Sequence, residues 1–169
     1  MNISLELLQK GDVLLSSRKK NIFNFLVSAV THSKWGHTFL YIGDNQIIES
    51  TGKGVQIADI SKYQSTHYDA IGCFRINQIT EAQIDKMIDS AKQQIGTRYG
   101  FFQIVYMGLV YISKQANHRF WQREVDSGQT CTELILRAAE EAGIKLFDDN
   151  PSMVAPGDFE KNNKLTKIF

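Results

Sequence analysis

The spacing of apolar residues along the chain predicts short strands first and helices later. The run from His37 to Ile42 predicts a strand, whose side chains alternate in direction and place His37, Phe39 and Tyr41 on one face and Thr38, Leu40 and Ile42 on the other. From residue 81 the period becomes that of an amphipathic helix, which runs to Ile95 with Thr80 as its cap. Shorter apolar runs predict further strands at residues 13–16, 46–50, 55–57 and 70–76.

The remaining segments complete an α+β pattern. Residues 21–31 are apolar over most of a helix surface, and residues 99–113 are apolar nearly all round, which is typical of buried helices. Residues 117–128 carry no clear pattern, and the tail that follows Ile144-Lys145-Leu146, with Pro151 and Pro156, is predicted as loop. With no internal repeat and no composition break, these elements predict one domain over residues 1–169, with an antiparallel sheet and helices.

A cysteine opens the helix predicted after Thr130. Thr130 can cap that helix, and Glu133 three residues later completes a capping box, so Cys131 falls in the first turn. Unpaired N–H groups and the positive end of the helix dipole meet there. That position lowers a thiol pKa from ~8.5 toward ~3.5–7.5 in reactive cysteines. The alternative is a small buried residue that packs the helix end.

A nucleophilic cysteine needs a base and a group that orients the base. His37, on its strand next to Gly36, is the best placed of four histidines; the alternative is a histidine at the core edge bonded to a carbonyl. Glu49 is unusual because it lies within an apolar strand, where an unpaired carboxylate is costly to bury. The alternative is an edge-strand glutamate facing water. His32, His67 and His118 are interpreted as a dipole contact and two solvated residues.

The turn at residues 43–45 decides whether His37 and Glu49 share a face of the sheet. A three-residue loop or a bulge brings both side chains to one side, whereas a two-residue loop puts them on opposite faces. Cys73, in the middle of a strand, is predicted to be a core residue.

Composition restricts the classes of function. The chain has 169 residues and a formal net charge of +1, so no strong field favours nucleic acid or an anionic membrane. Two cysteines are too few for a disulfide scaffold or a paired-cysteine metal site. Residues 1–10 lack the apolar core of a signal peptide, and no apolar run reaches ~20 residues. We therefore expect a cytoplasmic protein without a transmembrane segment, with non-classical export left open. The sequence does not determine an oligomeric state.

Eight short segments, taken in order, resemble one family over nearly the whole chain. The chain is similar to the circularly permuted NlpC-type papain-like cysteine peptidases, more narrowly to the bacterial YiiX-like group, and distantly to lecithin–retinol acyltransferase. The segments are Gly11-Asp12-Val13-Leu14, Gly36-His37-Thr38-Phe39, Ile48-Glu49-Ser50, Gly54-Val55, Ile95-Gly96-Thr97-Arg98-Tyr99, Cys131-Thr132-Glu133-Leu134, Ala142-Gly143-Ile144 and Ala155-Pro156-Gly157-Asp158. Two positions depart from the family pattern, with Thr132 where serine is usual and Gly100 where aspartate is common.

The resemblance implies a fold and a site. The fold would be a permuted papain-like one, with a small antiparallel, barrel-like sheet packed against helices. Cys131 would be the nucleophile, His37 the base and Glu49 the residue that orients the imidazole. The substrate-binding residues are predicted to be Trp35, Gly36, Tyr99 and Thr130.

The predicted function is hydrolysis of an amide bond by a cysteine nucleophile, and the resemblance implies that the substrate is a small peptide or aminoacyl compound, such as a cell-wall peptide. It would proceed through a thioacyl intermediate on Cys131 and needs no metal or cofactor. Arg98 or Lys34 would hold a substrate carboxylate. The alternatives are a lipid acyltransferase or thioesterase of the lecithin–retinol acyltransferase type, and a non-catalytic binding module with the same fold.

Overall fold

The computed structural model describes residues 4–17, 33–65, 68–100 and 128–169. The helix predicted at 21–31 lies outside these ranges, as does the helix predicted at 99–113 apart from its first two residues. His32, His67 and His118 also lie outside them. The site is therefore described from the sheet, the two helices that follow it in the chain, and the C-terminal tail.

A six-stranded sheet is the main element of the described chain. Its strands pair antiparallel in the order β4-β3-β2-β1-β5-β6. The predicted antiparallel sheet is confirmed, but β4 and β6 form two separate edges, so this sheet is open rather than closed into a barrel. The strands are β1 Val13–Ser17, β2 His37–Gly43, β3 Gln46–Thr51, β4 Gly54–Asp59, β5 Ala70–Ile76 and β6 Leu165–Lys167.

Two α-helices follow β5. Helix α1, Glu81–Gln93, has a capping box between Thr80 and Gln83 and ends slightly before the predicted stop. Helix α2, Cys131–Glu141, packs against α1 and against β2 and β3. Neither has both the length and the apolar character needed to span a bilayer, and this holds for every helix of the described residues. The 3₁₀ helices are Leu5–Leu7, Ile60–Gln64, Pro151–Met153 and Pro156–Lys161.

The tail differs from the predicted loop. Residues Leu165–Lys167 form β6 and pair with β5, where Leu165 lies opposite Ile76 and is largely buried. A three-residue strand is too short to show a period in sequence, and its pairing depends on a partner almost 90 residues away in the chain. The tail therefore extends the sheet rather than leaving the fold.

The alternation along the strands divides the core in two, as the pattern at His37–Ile42 predicts. Val13, Leu15 and Leu40 are buried on the face that packs against the helices. Leu14, Phe39 and Tyr41 are buried on the other face, which the 3₁₀ helix Ile60–Gln64 covers with Ile60 and Tyr63. Each central strand is thus buried on both sides.

The hairpin between β2 and β3 combines a short turn with a bulge. Asp44 and Asn45 both adopt positive φ, and Gly43 pairs with Gln46 across them. Before the turn, Tyr41 pairs with Ile47 and Leu40 with Ile48, so β2 has one extra residue between Tyr41 and Gly43. The bulge supplies the register that a three-residue loop would have given. Glu49 therefore lies on the same face of the sheet as His37.

Candidate active site

Cys131 is the first residue of α2. The Thr130 hydroxyl accepts a hydrogen bond from the Glu133 N–H at 3.2 Å, and a Glu133 carboxylate oxygen accepts one from the Thr130 N–H at 2.9 Å. This is the predicted capping box, and it fixes the first turn of the helix. Only 6% of Cys131 is exposed to solvent. The thiol therefore lies at the positive end of a helix and is largely removed from water.

His37 is the first residue of β2, and Glu49 reaches it from β3. The His37 Nε2 atom lies 3.3 Å from Glu49 Oε2. The Glu49 side chain is fully buried, whereas 13% of the His37 side chain is exposed. The structure thus brings His37 and Glu49 together on one face of the sheet, which the sequence had left to the turn at residues 43–45.

His37 and Cys131 influence each other's charge. Burial disfavours the thiolate, but the His37 charge, its hydrogen bond to the sulfur and the Thr38 backbone N–H outweigh it and lower the pKa of Cys131. Burial likewise opposes a charged His37, yet the thiolate and the Glu49 carboxylate raise the pKa of His37 to about 9. The environment therefore favours a thiolate–imidazolium pair.

Glu49 has more partners than His37 alone. Its carboxylate accepts hydrogen bonds from Gln56 Nε2 at 3.0 Å, from Tyr63 Oη at 2.6 Å, and from the Lys62 ammonium. Burial opposes ionisation, but His37, followed by the hydrogen bonds from Lys62 and Tyr63, holds the pKa of Glu49 well below its usual range. Glu49 is thus an ionised carboxylate surrounded by donors.

The sequence did not indicate Gln56, Lys62 and Tyr63 as site residues. A signal for Gln56 exists, because a two-residue turn at Gly52-Lys53 sets Glu49 opposite Gln56, as the structure shows. Lys62 and Tyr63 lie on the 3₁₀ helix Ile60–Gln64, which has no long-range period in sequence. Only the three-dimensional fold places them at the carboxylate.

Tyr99 and Thr130 lie beside the cysteine in different ways. Tyr99 forms an isolated parallel bridge with Gln129, two residues before Cys131. Burial, followed by the charge at Cys131, raises the pKa of the Tyr99 phenol. Tyr99 thus lies within electrostatic range of the thiol, whereas the Thr130 hydroxyl caps α2 and lies 3.1 Å from the Thr132 hydroxyl.

Trp35 packs in the core of the described structure, and the substrate-binding role predicted for it stays a prediction. It is 1% exposed, and its indole N–H donates to Glu160 Oε2 at 2.8 Å. Its ring lies over Gly72, where a Cβ atom would come within 2.9 Å of it. Gly36 is also buried, and its N–H donates to the Ser16 carbonyl at 3.0 Å, which sets the start of β2. Trp35 is thus a core residue.

Cys73 provides a contrast to Cys131. It is completely buried in the middle of β5, as predicted, and it contacts Asp12 Oδ2 at 3.5 Å. Burial, followed by the Asp12 charge, raises the pKa of the Cys73 thiol well above its usual range. Of the two cysteines, the environment therefore favours the thiolate only at Cys131.

The described residues do not assemble a candidate metal centre. Within these ranges, no group of three or more His, Cys, Asp or Glu side chains is placed to hold a metal ion. The polar residues around Cys131 can themselves transfer protons and form hydrogen bonds.

Comparison with known proteins agrees with this fold. The chain is 30% identical over 98 residues to the probable lipoprotein peptidase YaeF of Escherichia coli (strain K12). The aligned segment covers 58% of this chain and only 35% of that relative's length. It superposes on the crystal structure of the metalloprotein YiiX from Escherichia coli O157:H7 with a TM-score of 0.71. That match covers 95% of this chain and 96% of the other at 18% identity, so it shows a shared fold.

A family model matches residues 7–169 and carries the description permuted papain-like amidase enzyme, YaeF/YiiX, C92 family. The match spans nearly the whole chain, and the predicted resemblance to the YiiX-like group is confirmed. The chain therefore belongs to the C92 family of permuted papain-like amidases.

Proposed function

We propose that the protein hydrolyses an amide bond of a small, soluble peptide or aminoacyl compound, with Cys131 as nucleophile, His37 as acid and base, and Glu49 as orienting residue. The observation that supports this most directly is that His37 contacts the fully buried Glu49 carboxylate. The charge of the same imidazole ring lowers the pKa of Cys131. A nucleophile, a base and an orienting group are the components that covalent amide hydrolysis needs.

The reaction would take place in two halves. The Cys131 thiolate attacks the carbonyl carbon, and the resulting oxyanion is held by the N–H groups at the start of α2. The C–N bond then breaks, and the His37 imidazolium gives its proton to the leaving amine. A water molecule next loses a proton to His37 and attacks the thioacyl carbon. The C–S bond breaks, which releases the acid and restores the thiolate.

The polar residues near Cys131 suggest the substrate. The Arg98 carbonyl accepts a hydrogen bond from the Gln129 N–H at 2.8 Å, so the exposed Arg98 lies on a segment joined to the one that precedes Cys131. Its guanidinium is suited to a substrate carboxylate. Lys34, the other cation predicted for this role, lies 3.7 Å from Glu160 and over the Trp35 ring. The carboxylate preference therefore rests mainly on Arg98.

A panel of matched substrates tests this function. We expect purified protein to cleave short peptides and aminoacyl amides with a free carboxylate faster than the same compounds with a carboxamide, because Arg98 would bind the charge. Long-chain esters and thioesters should react more slowly than either. Release of amine and acid is measured, with Cys131→Ala as the blank. If only the long-chain thioesters or esters turned over, the lipid function would replace the present one, and no turnover at all would favour a binding module.

Turnover should also decline at alkaline pH, when His37 loses its proton. Amide cleavage needs a protonated His37, and its pKa is raised from 6.5 to about 9. The imidazolium is present below that pH and is lost as pH rises through about 9, so the rate should fall there. Initial rates from about pH 5 to about pH 11 measure this limb. Glu49→Gln should move it to lower pH, because the carboxylate is one of the groups that raise the pKa of His37; an unchanged limb in that variant would argue against the contact.

A further inference from the structure

Glu49 accepts as many hydrogen bonds as a carboxylate can. Oε1 accepts from Gln56 Nε2 and from Lys62 Nζ, and Oε2 accepts from Tyr63 Oη and from His37 Nε2. An ionised carboxylate offers about four lone-pair sites, and all of them are used in this arrangement. Rotation of the carboxylate in either direction would therefore break more than one bond.

Three of these donors come from β4 and from the 3₁₀ helix that follows it in the chain. Gln56 lies opposite Glu49 on β4, while Lys62 and Tyr63 follow on the 3₁₀ helix. Asp59 caps that helix by accepting a hydrogen bond from the Ser61 N–H at 2.8 Å. The donors are therefore held by a strand and by a capped helix rather than by a free loop.

Ring stacking fixes Tyr63 further. Its ring lies 4.1 Å from that of Phe39 and nearly parallel to it, and 6.4 Å from the His37 ring at an interplanar angle of 16°. Tyr68 packs on the same ring at 4.7 Å. The phenol that contacts Glu49 thus belongs to the aromatic stack that also holds His37.

We propose that Gln56, Lys62 and Tyr63, called the Glu49 clamp, are positioning residues that fix the Glu49 carboxylate so that it holds His37 toward Cys131. The proposal rests on the proposed function. The clamp acts by supplying donors, and a carboxylate surrounded by donors is ionised and can only accept. His37 must then donate from Nε2, which leaves Nδ1 as the nitrogen available to Cys131.

Lys62 has a second task within the clamp, because it carries a charge. The described ionisable groups around Glu49 are His37 from β2, with Cys131 beyond it, and Lys62 and Tyr63 from the 3₁₀ helix. Lys62 is the only cation among these described groups besides His37. Loss of Lys62 would leave the carboxylate less restrained and remove a positive charge, and both changes disfavour a thiolate at Cys131. The thiolate should then form at higher pH.

The pH dependence of Cys131 alkylation by iodoacetamide tests the clamp without a substrate. We expect Lys62→Met to shift the acid limb of the curve of alkylation rate against pH to higher pH by roughly 0.5–1 pH unit. Labelling of Cys131 near pH 6 should slow by about 3- to 10-fold. Lys62→Arg, which keeps charge and donors, should restore most of the wild-type profile. Lys86→Met, the same change on the exposed surface of α1, should leave the profile unchanged. Labelled sites are identified by peptide mapping, with the buried Cys73 as internal reference.

A double-mutant cycle tests whether Lys62 acts through Glu49. In a Glu49→Gln background, Lys62→Met should lose most of its effect on the profile, because there is no carboxylate left to fix. The same shift in both backgrounds would mean that Lys62 acts by its charge alone or by a purely structural role, and would overturn the proposal. Should Lys62→Met fail to fold, as judged by thermal unfolding, Tyr63→Phe replaces it. This variant keeps the stacked ring, and it should move the acid limb in the same direction.

His37→Ala separates this proposal from the proposed function. It should move the Cys131 profile toward that of an ordinary thiol with a pKa of ~8.5. If His37→Ala has that effect while Lys62→Met and Tyr63→Phe match the wild type, the clamp is wrong and the Cys131–His37 pair stands. If His37→Ala itself leaves the profile unchanged, the pair that underlies the proposed function is absent, and the clamp falls with it.

Discussion

Replacing Cys131 or His37 by alanine is expected to reduce turnover by at least ~10³-fold. Without the Cys131 sulfur no thioacyl intermediate can form, and the helix N–H groups have no attacking atom to assist. Without His37 the leaving amine receives no proton, and the thiol loses the imidazolium that lowers its pKa. The measurement is kcat/KM on the best substrate of the panel.

Glu49→Gln should be the milder change. The amide keeps the shape of the side chain but loses the charge that raises the pKa of His37, so some activity should remain. The double variant with His37→Ala should be no worse than His37→Ala alone, because Glu49 acts through the imidazole. Such non-additivity is expected of groups that act as one unit.

Cys73→Ala serves as the matched control for loss of a thiol. Cys73 lies in the core and its pKa is raised, so its removal should change stability more than turnover. Retention of turnover in Cys131→Ala, together with its loss in Cys73→Ala, would contradict the assignment of the nucleophile. Thermal unfolding of each variant establishes that a loss of activity is not a loss of fold.

The cysteine helix is the part of the site that the sequence predicts best. The features that place Cys131 are local, since Thr130 and Glu133 bond to each other's backbone across three residues and need no distant partner. The strand with His37 is also predicted, because a short run of apolar and aromatic residues follows His37 and the turn residues Gly43-Asp44-Asn45 end it. Both signals lie within a few residues of the element that they predict, so they do not depend on a distant partner.

The relation between His37 and Glu49 was open in sequence, because it depended on one residue in a turn. A turn with positive φ at Asp44 and Asn45 would alone have put the two side chains on opposite faces. The bulge between Tyr41 and Gly43 reverses that outcome. Bulges have no reliable signature in a single sequence, so this contact required the three-dimensional structure.

Trp35 and Lys62 show why the surroundings of some side chains could not be predicted. Trp35 lies beside the His37 strand in sequence, and its ring lies over Gly72 of β5, almost 40 residues away in the chain. Lys62 would ordinarily be assigned to solvent, yet its ammonium reaches a carboxylate that is fully buried. In both cases the side chain's surroundings are set by a partner distant in sequence.

Arg75→Met is expected to lower the free energy of unfolding by about 3–5 kcal/mol. The Asp12 carboxylate is 1% exposed and accepts two hydrogen bonds from the Arg75 guanidinium, both at 2.8 Å. The same guanidinium donates to the Leu7 carbonyl at 2.8 Å, which ties the N-terminal segment to β5. Removal of Arg75 leaves a buried carboxylate whose remaining described donors are the Gln9 N–H and the Cys73 thiol. Urea unfolding measures the change.

A cycle with Asp12→Asn identifies the unpaired charge as the cause. Asp12→Asn alone should cost less than Arg75→Met, because the Arg75 side chain is 29% exposed and can return to water. The double variant should lose less than the sum of the two single variants by at least ~1 kcal/mol. As a control, Lys145→Met breaks an ion pair with Asp148 in which both side chains are mostly exposed, and it should leave the urea midpoint unchanged. Strict additivity in the cycle, or a small effect of Arg75→Met, would mean that the Asp12 carboxylate is held mainly by the N-terminal backbone.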